Sequence, residues 1–187
     1  MSTYGYTPGP ASGARAIKNG LQGEKDKWTL IFQREVCHAP EKVWRALTDP
    51  QHLHEWAPFD ADGNLGTVGA TVQLTWTGTK RVSETTVTRA DAPKVLEYGD
   101  LRWELEAVSN GTRLTLWHSI TPRFISWGAA GWHIAFDVLD RLLSGNPIDR
   151  IAGAEALKFG WQRLNAEYAK QFEVEIPNGP PKAAHRS

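Results

Sequence analysis

The chain has 187 residues, enough for one domain with a substantial core, and its 21 basic residues balance its 21 acidic ones. With no net charge and no basic block, charge-driven recognition of nucleic acid or of a membrane surface is argued against. Cys37 is the single cysteine, which rules out an intrachain disulfide and fits a reducing, cytoplasmic setting.

Residues 1–26 are rich in Gly, Ser and Pro and show no hydrophobic period, so a flexible tail is expected there. They also lack the apolar stretch of a signal peptide, and no run in the chain is long enough to span a bilayer. A second flexible tail is expected over 174–187, which leaves 27–173 as the folded domain.

"KWTLIFQREVC" alternates like a half-buried strand and puts Leu30, Phe32, Arg34 and Val36 on one side. Two short helices are expected from "HAPEKVWRALTDPQHLHEW", with Pro40 and Pro50 in their first turns. Val43, Trp44 and Leu47 face inward on the first, Leu53 and Trp56 on the second. Cys37, just before them, is read as a small core residue. His52 and His54 have neither metalloprotease nor zinc-finger spacing, so no metal site is expected.

A meander of hairpins follows. Ala70, Val72, Leu74 and Trp76 alternate with polar residues. The turn in "TWTGTK" allows two registers, one with Arg81, Ser83 and Thr85 inward, the other with Val82 and Glu84. A Gly99-Asp100 turn pairs Tyr98 with Leu101, Leu96 with Trp103 and Glu97 with Arg102. An Asn110-Gly111 turn pairs Ser109 with Thr112 and, counting outward, Trp103 with His118. Leu101, Trp103, Leu105, Leu114, Leu116 and His118 then share an apolar face, with Trp117 on the other.

The chain next turns helical. In "GAAGWHIAFDVLDRLLSGNP", Trp132, Phe136, Leu139 and Leu143 share a side within a wide apolar arc. His133, Asp137 and Asp140 fall on the remaining wet edge, where His133 and Asp137 are expected to form a modest structural pair. "AEALKFGWQRLNAEYAKQF" gives another helix with Leu157, Trp161, Leu164, Tyr168 and Phe172 at helical spacing.

The order of these elements resembles the helix-grip fold of the START-like (SRPBCC) superfamily, and within it the bacterial branch named after activators of the heat-shock-protein-90 ATPase. The stretches that carry the likeness are "APEKVWRALTDPQHLHEWAP" (39–58), "GTRLTLWHSI" (111–120), "GWHIAFDVLDRLLSGNP" (131–147) and "GWQRLNAEY" (160–168). It implies an α+β fold, an antiparallel sheet of about six strands wrapped on a long C-terminal helix, with an apolar cavity between them. For function it is weak, because such proteins share a scaffold rather than a chemistry.

Nine tryptophans supply flat apolar walls. The first reading is therefore a carrier of a small hydrophobic, aromatic or lipid-like molecule. Its pocket would be lined by Trp56, Leu74, Trp76, Tyr98, Trp103, Leu116, His118, Trp132, Phe136 and Trp161. The second is a cyclase- or hydrolase-like enzyme using His118 and Arg34, the latter with Glu84 as a candidate partner. The third is a co-chaperone-like module, which the short N-terminal tail argues against. No cofactor is implied, and a homodimer stays open.

Overall fold

The computed structural model describes residues 5–177. Eight antiparallel strands form one sheet: β1 (Ala14–Ile17), β2 (Trp28–Val36), β3 (Phe59–Ala61), β4 (Thr71–Trp76), β5 (Arg81–Asp91), β6 (Val95–Tyr98), β7 (Leu101–Val108) and β8 (Gly111–Ile120). Their order across the sheet is β1, β2, β8, β7, β6, β5, β4, β3. The helices are α1 (Pro40–Thr48), α2 (Pro50–Trp56), α3 (Ile125–Leu143) and α4 (Trp161–Phe172).

The sheet exceeds the expected six strands because short β1 and β3 extend its two edges. β1 corrects the expectation of a flexible N-terminal tail. Ala14 to Ile17 pair with Phe32 to Thr29. Tyr6 is buried, at 8% exposure, and residues 8–12 are bonded to α4. A segment without a hydrophobic period is held here by one aromatic ring and by backbone groups, neither of which leaves a periodic signature. Residues 1–4 and 178–187, including most of the expected C-terminal tail, lie outside the described residues.

The Gly99-Asp100 turn has the expected register, with Tyr98 opposite Leu101 and Leu96 opposite Trp103. The β7–β8 hairpin differs by two positions: Val108 pairs with Gly111, so Trp103 faces Leu116 and Leu101 faces His118. The reason lies at Gly111, which has φ +149° and whose absent Cβ would stand 2.1 Å from the Val36 carbonyl oxygen. Glycine is needed there for the end of β2 to pass close by, so it opens β8 and leaves Ser109 and Asn110 as the turn. A two-residue slip keeps every side chain on its own face.

At the β4–β5 turn, Trp76 pairs with Arg81 across the four residues 77–80. Thr85 consequently faces inward and is buried, whereas Glu84 is exposed and cannot partner Arg34.

The apolar arc of α3 packs over the concave face of the sheet, with Trp132, Phe136, Leu139 and Leu143 all buried. The second predicted helix is divided. A 3-10 segment covers Gly153–Phe159, Gly160 takes φ +82°, and only then does α4 begin. Leu157 falls in the 3-10 segment and is 53% exposed. Cys37 is exposed rather than in the core, because β2 ends at Val36 and turns away beside Gly111.

Candidate functional site

The residues read as a pocket wall are brought together with one exception. Trp56, Leu74, Tyr98, Trp103, Leu116, Trp132 and Phe136 are all buried between the sheet, α2 and α3. Trp103 meets Trp56 edge-on at 6.0 Å and Trp132 at 5.5 Å, and lies nearly parallel to Phe136 at 6.0 Å. The indole of Trp56 donates to the Ala46 carbonyl at 2.9 Å, and that of Trp103 to the Tyr98 hydroxyl at 3.1 Å. These rings pack on one another with their polar atoms satisfied, as a core requires. Trp161 is the exception: it stands edge-on to Trp127 at 4.9 Å, at the start of α4.

Trp76 and His118 complete the cluster but are only half-buried. Their rings are 13° from parallel, with centroids 6.2 Å apart, and Trp76 also leans on Phe59 at 5.0 Å. The Trp132 indole N–H donates to His118 Nδ1 at 3.0 Å. Among the described residues none takes up His118 Nε2. Burial lowers the His118 imidazole to about 4, with Lys27 reinforcing the effect and Asp100 opposing it. The ring is therefore neutral at pH 7.

Two residues beyond Trp76 the β4–β5 tip meets the segment leading into α4. A Cβ on Gly78 would stand 2.9 Å from the Gly153 Cα, and one on Gly153 the same distance from the Gly78 Cα. Both have positive φ, so this seam is built from two backbones in direct contact. Arg150, in the same crossing segment, donates to Asp60 in the middle of β3 at 2.7 Å. Two surface hollows, neither lined by Trp76 or His118, measure about 160 Å³ beside Asp100, Arg102 and Glu97 and about 380 Å³ beside His54 and Asp60.

Arg34 belongs to a separate polar cluster. It donates to Asp137, which also accepts from the Tyr6 hydroxyl at 2.6 Å. His133 is buried, not on a wet edge. Its Nδ1 is 2.8 Å from the Tyr168 hydroxyl, and its Nε2 is 3.8 Å from Asp137 Oδ2. Tyr168 in turn donates to the Ser12 carbonyl at 2.9 Å. Burial lowers His133 to about 4 and raises Tyr168 to about 12. The wet edge was expected because nothing in the sequence marked residues 6–12 as its cover.

Arg34 and His118 do not converge. Leu30 lies opposite His118 and Arg34 opposite Leu114, so four strand residues, about 13 Å, separate the two sites. His52 and His54 sit on α2 without a metal arrangement, and His54 instead meets Asp60 at 2.7 Å. Among the described residues no group of His, Cys, Asp and Glu could hold a metal ion, and no helix is long and apolar enough to cross a membrane.

Three polar atoms that sequence reasoning missed are buried without a partner at the inner face and the head of α3: Thr85 Oγ1, Ser126 Oγ and Trp127 Nε1. Trp127 and Ser126 precede the Gly128 at which the helical period was first counted. Thr85 was one of two open registers.

A long helix held in the concave face of an antiparallel sheet, with two short helices after the first long strand, defines the helix-grip class of the START-like superfamily. Within it, the chain belongs to the family described as Activator of Hsp90 ATPase homolog 1-like protein, whose sequence profile matches residues 38–144. No curated protein matches the chain. Among solved structures, CalU16 from Micromonospora echinospora is 20% identical, with TM-score 0.59, covering 83% of this chain and 95% of that one. EF2215 from Enterococcus faecalis is 18% identical at TM-score 0.60, covering 79% and 86%. MLL2253 from Mesorhizobium loti is 25% identical at TM-score 0.56, covering 64% and 99%.

Proposed function

We propose that this chain is a binding protein for a small hydrophobic molecule, aromatic and uncharged, which it holds against the Trp76–His118 pair. The observation that carries the reading is the His118 ring. It is a neutral polar group set among the aromatic rings of the inner face, half-buried, with a half-buried indole lying parallel to it. An apolar wall with one placed polar group is what a small-molecule site needs. Trp56, Leu74, Tyr98, Trp103, Leu116, Trp132 and Phe136 serve as the packed floor beneath it, and the Gly78–Gly153 seam as its nearest edge. The lone Cys37 is in keeping with work in a reducing cytoplasm.

The enzymatic alternative asks His118 and Arg34 to act on one substrate. Arg34 is committed to Asp137, and the distance between the two rows of the sheet separates them. A neutral imidazole lowered to about 4 is also a weak general base. Binding is thus the better-supported reading.

The test is a titration with 1-indanone, a planar bicyclic ketone, followed by tryptophan emission. Saturable quenching is expected, with Trp76→Ala weakening affinity about ten-fold, as for loss of an enclosing aromatic wall. Trp117→Ala, on the opposite face, leaves it unchanged. Loss on Trp117→Ala with no loss on Trp76→Ala contradicts the reading.

A further inference from the structure

We infer that the Trp132 indole fixes His118 as a hydrogen-bond donor, so that the ligand of this site is an acceptor: a planar aromatic carrying an accepting oxygen, such as a carbonyl or ether, not one whose only polar group is an N–H donor. The inference rests on the binding reading above and says which chemical class that site selects.

An indole N–H can only donate. Its bond to His118 Nδ1, at 3.0 Å, therefore requires an unprotonated Nδ1 with its lone pair in the ring plane. A neutral imidazole has one proton, which must then sit on Nε2. Among the described residues no acceptor takes that proton, although the ring is only half-buried and lies against Trp76. The packing leaves little freedom to reverse the arrangement. Trp132 is held edge-on to Trp103 at 5.5 Å and to His118 at 6.0 Å, and its indole nitrogen has no second role. A ring flip of His118 would set a carbon against the indole N–H and strand a buried donor, which costs more than the bond itself contributes. The depressed basicity of His118 keeps the ring from charging at neutral pH, so the same donor is presented across the physiological range.

The consequence is a selection rule. A ligand oxygen that meets Nε2–H gains a bond in a water-poor setting. A ligand of identical shape without that oxygen leaves the donor unpaired. A ligand that offers only a donor faces another donor.

Three bicyclic probes of nearly the same shape separate these cases: 1-indanone, which accepts; indane, which does neither; and indole, which donates. On the full-length protein 1-indanone is expected to bind about ten-fold more tightly than indane, with indole no better than indane. In His118→Phe an aromatic ring is kept and the Nε2–H donor lost, so the preference for 1-indanone over indane should fall away. A long-range proton–nitrogen spectrum of the wild-type imidazoles gives a reading that needs no variant: at pH 7 the His118 proton is on Nε2. Equal binding of 1-indanone and indane, or a proton found on Nδ1, overturns the inference while leaving the binding reading in place. Failure of all three probes to bind overturns both.

Discussion

Tyr6 and Asp137 are 131 residues apart in the chain, yet the Tyr6 hydroxyl donates to the Asp137 carboxylate at 2.6 Å. The same carboxylate takes the Arg34 guanidinium from β2, and Arg141 lies over the Tyr6 ring at 5.7 Å. One carboxylate on α3 thus ties the N-terminal segment and the first long strand to the helix that the sheet grips. Tyr6→Phe keeps the packed ring and removes the charge-assisted bond, so it should cost about 1–2 kcal/mol in urea unfolding. A variant as stable as the wild type would show that the segment rests on the fold without holding it.

Acid should loosen the fold in a defined window. His133 stays neutral in the folded state down to about 4 because it is buried, whereas in the unfolded chain it takes a proton near its ordinary value of 6.5. Between those values the unfolded state binds more protons, so stability rises with pH across the window and is lost as pH falls from about 6.5 toward 4. The loss from His133 alone is roughly 3 kcal/mol at most, and His118 acts in the same direction. Unfolding free energies measured from pH 7.5 to 4.5 should show this slope, shallower in His133→Gln. A flat profile would mean that the two rings do not stay neutral in the folded state.

Trp103 is a core residue, so its truncation should be felt as stability. Trp103→Ala leaves Trp56, Trp132 and Phe136 without their common neighbour and should cost about 3–5 kcal/mol. Trp117→Ala gives up a half-buried ring and a contact with Arg102 at 5.7 Å, worth about 1 kcal/mol. If thermal unfolding ranks the two variants in the opposite order, the inner face has been assigned to the wrong side of the hairpin.

The Gly78–Gly153 seam should be intolerant of a single methyl group. Gly153→Ala places a Cβ 2.9 Å from the Gly78 Cα at a residue with φ +59°. The β4–β5 tip should be pushed away and its Lys80 and Arg81 bonds cut faster by trypsin. Unchanged cleavage would show that the tip is held by something other than this contact.

What could be read from the sequence follows from how far each signal reaches. Strand faces depend on alternation alone, so Leu101, Trp103, Leu116 and His118 are inward as expected even though the β7–β8 pairing is two residues off. The pairing itself depended on Gly111, whose reason for being glycine is the passage of Val36 from a distant strand. His133 looked solvent-facing because its cover, Tyr6 and Ser12, comes from a segment with no period to read. At the candidate site, the inward placing of Trp76 and His118 follows from alternation, but their closeness does not, since β7, β6 and β5 lie between their strands in the sheet. Nor does the bond from Trp132 that fixes the imidazole, since it depends on how far α3 sits along β8.

The most direct test of the account is the set of tryptophan indole N–H resonances, each a local reporter, recorded while 1-indanone is added. The Trp76 and Trp132 signals should move together and saturably, one beside the bound ring and the other through its bond to His118. Those of Trp56, closed off by Ala46, and Trp117, on the far face, should stay where they are. Movement of Trp117 with Trp76 and Trp132 unmoved, or no movement of any, would contradict a binding site at the Trp76–His118 pair.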